Sequence, residues 1–233
     1  KVSISNNGSS YSYFESENGI AVDDENDHLS KTSLRVSSSY NRKFNSRNKL
    51  ELGVIYTNQS YNFFSEYYNF DKNKWIKELE EKGNLSYIQG YGSWKHRLSE
   101  NLTLVGGAHY LQLSLNNSFS VEPRISAKWE LAKKHTLTAG FGVHSKIESL
   151  LSYFAKIEEP NGGYITPNKN LDLTKANHYV LGYDYSIDKN THAKIEGYYQ
   201  KLYNVPISAD TNSYYSTINS SDWYNNIALS NEG

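Results

Sequence analysis

The side chains best suited to chemistry in this sequence are seven histidines and a few crowded carboxylates. His28, His96, His109, His135, His144, His178 and His192 carry the donor atom of a zinc site. No two of them stand at the i, i+4 spacing that puts paired ligands on one helix face. His135 and His192 sit beside turns and read as solvated. Asp23-Asp24-Glu25-Asn26-Asp27-His28 is acidic enough to attract Ca²⁺. It lacks the ordered ligand positions and the Gly of an EF-hand loop, so it reads as a solvated loop. Glu158 and Glu159 are adjacent and would face opposite ways in a strand, whereas a glycosidase pair must address one site. No G-x-S-x-G elbow, P-loop or G-x-G-x-x-G is present, and Gly140-Phe141-Gly142 is a small-residue stretch in a strand. Cys is absent, which removes thiol nucleophiles, disulfides and thiolate metal sites. The expectation is no catalytic set, no metal and no cofactor.

Composition narrows the class. Lys plus Arg is 24 and Asp plus Glu is 25, a net charge of −1. That balance gives no electrostatic case for nucleic acid as the main partner. Tyr (21), Asn (26) and Ser (31) together make about a third of the chain. Aromatic residues at 14% argue against disorder. No apolar run reaches 18 residues, so no membrane-spanning helix is expected. The chain opens at Lys1 and has no Met, and reads as a mature or excised piece.

Whatever positions these side chains repeats every two residues. Phe119, Val121, Pro123, Ile125, Ala127, Trp129 and Leu131 alternate with Ser120, Glu122, Arg124, Ser126, Lys128 and Glu130 without a miss. A helix would mix the two sets on every face. Tyr179, Leu181, Tyr183, Tyr185 and Ile187 form a second such row, and Ala193, Ile195, Gly197 and Tyr199 oppose Lys194, Glu196, Tyr198 and Gln200. Leu137 to Val143, Leu50 to Tyr56 and Thr32 to Tyr40 add further rows. Residues 85–98 and 102–115 read as strands with less clean faces, the first sixteen residues as one more, and Asn226 to Ser230 as the start of a last. Strand lengths of roughly 10–15 are expected, against about 9–11 for a tilted membrane strand and about 5–6 in a soluble sandwich.

Connections set the architecture. Residues 44–48, 98–101, 132–135 and 188–191 are short and turn-like. Residues 62–84, 149–176 and 205–225 read as long loops, with a short amphipathic helix over 71–83 carrying Trp75, Ile76 and Leu79. Short turns at one end and long loops at the other is the anatomy of an outer-membrane barrel. Trp94 and Trp129, a few residues before short turns, fit an aromatic girdle there. The expected fold is all-β: an antiparallel up-and-down meander of about 9–10 strands forming a partial transmembrane outer-membrane β-barrel with long external loops, a single segment over 1–233.

Specific stretches carry a resemblance. Glu122-Pro123-Arg124-Ile125-Ser126, the Lys133-Lys134-His135 turn and Leu137-Thr138-Ala139-Gly140-Phe141-Gly142 are similar to a hairpin of TonB-dependent outer-membrane receptors, particularly the Bacteroidetes type. Asn168-Lys169-Asn170-Leu171 with Thr174 to Tyr185, and Tyr198 to Pro206, resemble the strands that follow it. The match is strongest across 119–206.

The resemblance implies a larger barrel plugged by an N-terminal domain, driven by the TonB complex, in the bacterial outer membrane. Neither plug nor terminal strands have a counterpart here, so the natural polypeptide is expected to begin before Lys1 and continue past Gly233. The implied function is energised uptake of an unidentified solute. Membrane lipid would meet the apolar rows; Glu122, Arg124, Lys128, Lys194, Glu196 and Gln200 would face the lumen, toward plug or solute. Trp75, Tyr164, Tyr214 and Trp223 are the expected external-loop aromatics. The rival class is a secreted or surface β-sandwich that binds glycans through exposed Tyr and Trp. A barrel enzyme has no catalytic set to support it.

Overall fold

The computed structural model describes residues 1–17, 20–158, 163–219 and 226–233, with side chains described outside 11–24 and 158. Nine strands form one antiparallel sheet: β1 (Val2–Glu17), β2 (Ile20–Lys43), β3 (Asn48–Asn69), β4 (Lys74–Arg97), β5 (Leu102–Leu113), β6 (Phe119–Ala132), β7 (His135–Lys146), β10 (Thr174–Ser186) and β11 (His192–Tyr203). Their spatial order is their chain order. Between β7 and β10 lie a single helical turn α1 (Leu150–Tyr153), the short strands β8 (Ile157–Glu158) and β9 (Tyr164–Ile165), and a 3-10 turn at Pro167–Asn170. The last elements are β12 (Ile207–Ser208) and β13 (Leu229–Ser230), paired with each other. Two packed sheets, the requirement of a sandwich, are not what this continuous meander makes.

The four expected hairpin turns lie together. Arg97 N–H donates to Arg47 O, Glu130 N–H to Asn101 O and Ser186 N–H to Lys134 O, each at 2.8 Å, so each strand end abuts the neighbouring turn. Three turns use the same device. One side-chain oxygen accepts two backbone N–H groups: Asn45 from Arg47 and Asn48, Ser99 from Asn101 and Leu102, Asp188 from Asn190 and Thr191.

Several sequence expectations are corrected. Strands β2, β3 and β4 run 24, 22 and 24 residues, not 10–15. At about 3.3 Å per residue they span roughly 75–80 Å, far beyond a bilayer crossing. Residues 62–84 are not a loop: β3 and β4 pair to the tip, where Asn73 adopts a left-handed φ of 47° to close a tight turn. The helix over 71–83 is absent. A β-bulge explains that misreading. Ser65 pairs with Leu79 but Glu66 pairs with Lys77, so Glu78 is extra. The extra residue brings Ile76 and Leu79 onto one face at a spacing of three, which mimics a helix. Asp23 to His28 lie within β2 and not in a loop. Leu229–Ser230 pairs only with Ile207–Ser208 and adds no strand to the main sheet.

Register defines two faces. The row Val54, Gly90, Tyr110, Val121 runs across one, as does Ala127, Ala139, Leu181, Gly197. This face exposes Leu52, Val54, Ile125, Leu181 and Ile195. Contiguous apolar exposure of this extent marks a surface made for an apolar environment. Along β6 it runs from Phe119 to Trp129, about 33 Å along the strand. A tilt near 40° reduces that to about 25 Å, the height of an outer-membrane apolar band. Phe44 stacks on Trp94 at 5.3 Å near the short turns, with Trp129 on the same face. Beyond Tyr56 the outward row of β3 becomes Asn58, Ser60, Asn62, and Ser60 hydrogen-bonds Asn84 at 2.5 Å. The upper halves of β2 to β4 thus stand clear of the apolar band.

The other face is the inner one. A single concavity of about 650 Å³ is lined from Arg35 on β2 to Val180 on β10. Only the inside of a curled sheet brings strands so distant in the ladder onto one space. Above it, the β7–β10 connection folds inward. Leu150, Leu151, Tyr153, Phe154 and Leu171 pack with Leu29, Phe63, Leu79, Leu85 and Leu113 in one buried cluster. Tyr61 meets Phe154 at 4.9 Å, and Lys156 Nζ lies 3.7 Å from Glu81 Oε1.

Candidate functional site

The most structured polar feature of the concave face centres on Glu122, which is 2% exposed. Its position follows from Pro123. The β6–β7 ladder ends at Arg124–Gly142, one residue before Pro123, which has no N–H to offer. Where the strands part, the Glu122 carboxylate takes over the ladder's role: Oε1 accepts the Ser145 N–H at 3.1 Å and the Ser145 hydroxyl. Arg124 Nη2 donates to Oε2 at 2.7 Å. His109 Nδ1 is 3.1 Å from Oε2 but is not aligned as a hydrogen bond. A buried carboxyl group with this many donors has its hydrogen-bonding capacity met.

Around it lie His144 and His178, with ring centroids 4.5 Å apart, and Tyr91, whose ring crosses Gly53 so closely that a Cβ there would sit 2.2 Å from it. Histidine spacing in the chain gave no hint of this gathering. Registers His109–Glu122 and Gly142–His178 bring together residues far apart in sequence. The signal was present only as parity: each falls on the polar set of its strand. Among the described residues no group of His, Asp and Glu is arranged to hold a metal ion.

The six expected lumen residues share this face. Arg124, Gly142, His178 and Gln200 form one cross-strand row; Lys128, Thr138, Gly182 and Glu196 form another, with Lys194 one pair further. They divide into neighbouring pairs rather than one site. Lys128 meets Glu130 at 3.4 Å, and Lys194 meets Glu196 at 3.0 Å. Sequence reasoning missed Arg35, Glu51, Gln89 and Tyr91, which line the concavity beside Arg124. Arg35, Gln89 and Tyr91 lie on strands with less clean alternation, where Gly and Ser interrupt it, whereas Glu51 alternates with the regular Leu50 to Tyr56 row.

Of the external aromatics, Tyr164 is in β9 and Tyr214 is wholly exposed. Trp75 is in β4, not on a helix, and meets Tyr68 edge-on at 5.6 Å. All three lie at or beyond the strand ends opposite the short turns. Trp223 lies outside the described residues. In the acidic stretch Asp27 is 1% exposed and faces inward, while the side chains of Asp23 and Asp24 are outside the described residues.

No family model and no curated protein matches the sequence. Solved structures do match. The ferric enterobactin receptor PfeA from Pseudomonas aeruginosa aligns with 88% of this chain and 32% of its own, at 12% identity and a TM-score of 0.66. The copper transporter OprC aligns with 82% and 33%, at 16% and 0.60. The outer membrane transporter YddB from Escherichia coli aligns with 79% and 27%, at 14% and 0.55. The chain therefore spans about a third or less of these proteins. Identities this low carry the fold and not the Bacteroidetes type. What the alignments share with this nine-stranded antiparallel meander is the fold, and the fold of this chain is that of part of the β-barrel of TonB-dependent outer-membrane receptors.

Proposed function

We propose that the chain forms part of the barrel wall of an energised importer in the bacterial outer membrane, of the Bacteroidetes type that its sequence resembles. A plug domain of the same full-length protein would fill the lumen and connect to the TonB complex; further strands of that protein would complete the wall. Glu122, Arg124, Lys128, Lys194, Glu196 and Gln200 would face plug or solute. Trp75, Tyr164 and Tyr214 would meet solute at the outer mouth. The cargo is a small solute; among the similar structures one is a copper transporter and another a ferric enterobactin receptor.

The observation that carries this reading is the division of faces along β6: exposed Ile125 and Trp129 on one side, buried Glu122 with Arg124 on the other. Lys or Arg on the lipid face at the midplane costs roughly 2–4 kcal/mol, which fixes the direction. Because the chain has no Cys, single labels are straightforward. With Ile125→Cys or Arg124→Cys carrying a nitroxide in membranes, a lipid-soluble relaxation agent should reach residue 125 and not 124. The reverse pattern would overturn the proposal.

A further inference from the structure

The net charge of −1 hides an uneven distribution. Residues 42–49, 95–101, 128–135 and 186–192, the four short turns with their flanks, hold ten of the 24 Lys and Arg but three of the 25 Asp and Glu. Lys43, Lys49 and Lys95 form a cross-strand row in step with Glu51 of the inner concavity. Four other cations do not belong to that face. Arg42 is on the outward row of β2, in register with Leu50 and Trp94, and Lys133, Lys134 and Lys189 are in the turns themselves. All four are exposed, and among the described residues none pairs with a carboxylate. Of the three carboxylates in these stretches, Glu130 is taken by Lys128 and Asp188 accepts two N–H groups of its own turn. Arg42, Lys133 and Lys189 each follow an exposed outward apolar residue, Tyr40, Leu131 or Ile187, by two positions. Two positions are about 7 Å of strand. Aromatic rings mark the same boundary: the Arg42 guanidinium lies 4.9 Å over Phe44, which stacks on Trp94. Lys134 Nζ donates to Ile187 O at 2.7 Å and ties two neighbouring turns together.

We propose that this outward basic rim is the docking surface for anionic phospholipid headgroups in the leaflet nearest the short turns. Three observations select that occupant. Charge complementarity demands an anion. The rim is continuous with the apolar band, so the anion it meets there is carried on an acyl chain. Its depth fits as well: the polar layer on each side of a bilayer is roughly 5–8 Å thick, and the cations stand about 7 Å beyond the last apolar row. A zwitterionic headgroup brings its own ammonium and cancels most of the attraction, whereas a headgroup of net negative charge does not. Anionic surfaces hold basic residues at this distance in the same way. The inference rests on the apolar face being the lipid side, as proposed above.

The test uses the full chain with W75F/W223F, which leaves the exposed Trp94 and Trp129 beside the rim as fluorophores. In neutral detergent micelles it receives phosphatidylglycerol or phosphatidylcholine brominated on the acyl chain near the headgroup, where bromine quenches Trp on contact. Phosphatidylglycerol should associate at least about tenfold more tightly, since each cation near an anionic surface contributes about fivefold. Raising NaCl from about 0.05 M to about 0.5 M should erase most of that preference by shortening the screening length. R42Q/K133Q/K134Q/K189Q should abolish it while quenching by phosphatidylcholine stays unchanged, which separates lost charge from lost folding. R42K/K133R/K134R/K189R and the inward K43Q/K95Q/R97Q should both keep it. Equal quenching by the two lipids, a preference that survives the quadruple substitution, or one lost equally in K43Q/K95Q/R97Q would overturn the inference. So would inorganic phosphate that removes the preference at an ionic strength where NaCl does not, since the rim would then be a site for free phosphate. Quenching by neither lipid would overturn the lipid-face reading itself and this inference with it, so the two failures are told apart.

Discussion

At the residue scale, the buried Glu122 carboxylate holds an interruption in the sheet together. Where Pro123 cannot donate, one carboxylate accepts from Ser145 and Arg124. Glu122→Ala leaves those donors unsatisfied and should destabilise the chain by about 2 kcal/mol in urea unfolding followed by Trp fluorescence. Glu122→Gln should recover part of that loss, because the amide oxygen still accepts the Ser145 N–H. The opposite sign is expected at Tyr153. Its phenol is fully buried, and its hydroxyl makes no well-formed hydrogen bond, with only the Glu148 backbone as a near partner. Burial, partly offset by that Glu148 backbone contact and reinforced by the nearby Glu148 and Asp172 charges, pushes its pKa up to about 12, so the group is neutral at any working pH. Tyr153→Phe removes a poorly satisfied polar atom and should leave stability unchanged or slightly raised in the same assay. At the turn, hydrogen bonds from the Asn190 and Thr191 N–H groups hold the Asp188 carboxyl below its ordinary range. A depressed folded-state pKa contributes stability above the unfolded value and loses it as pH falls through the folded value. Exchange of the Asn190 and Thr191 amides, corrected for intrinsic pH dependence, should therefore accelerate only in acid below the usual Asp range.

At the scale of elements, each long strand has two regimes along its length. Near the short turns its outward row is apolar; past Tyr56 that row is Asn58, Ser60 and Asn62. A lysine should read out the boundary in lipid vesicles. Ile125→Lys, midway along the apolar row of β6, should cost about 2–4 kcal/mol of folding free energy. Asn58→Lys should cost less than about 0.5 kcal/mol, as for an ordinary surface site. Equal costs would place the bilayer elsewhere. The projecting half is held differently, by the β7–β10 connection packed on its inner side. Phe154, 2% exposed, packs there against Tyr61. Phe154→Ala should release that connection and open it to protease nicking near residue 156, while the strands stay resistant.

At the scale of the whole molecule, the nine-stranded sheet is open: β1 and β11 are its edges, and neither pairs with the other. Unpaired edge groups in an apolar medium cost several kcal/mol each, so an isolated chain has strong reason to find strand partners. Light scattering of the purified chain in detergent should show self-association through these edges. How much of this was legible beforehand depended on where periodicity was clean. Alternation across Phe119 to Leu131 established strand, face and hairpin partner, because a period of two sorts side chains with no help from neighbours. The brevity of four turns placed them at one end of the sheet for the same local reason. The helix expected over 71–83 failed because a bulge at Glu78 is a property of two strands, visible only when Ser65 and Leu79 are paired. The long loop expected over 62–84 failed with it. Parity along single strands puts the six polar residues on one face, yet the meeting of Glu122 with Ser145, and of His144 with His178, was not legible. The sequence by itself determined the strand pattern and its two faces, since both follow from single-strand chemistry. Only the tertiary structure decided which residues of the polar face meet, how far β2 to β4 project, and where the inward connection packs, because each depends on register between strands distant in the chain.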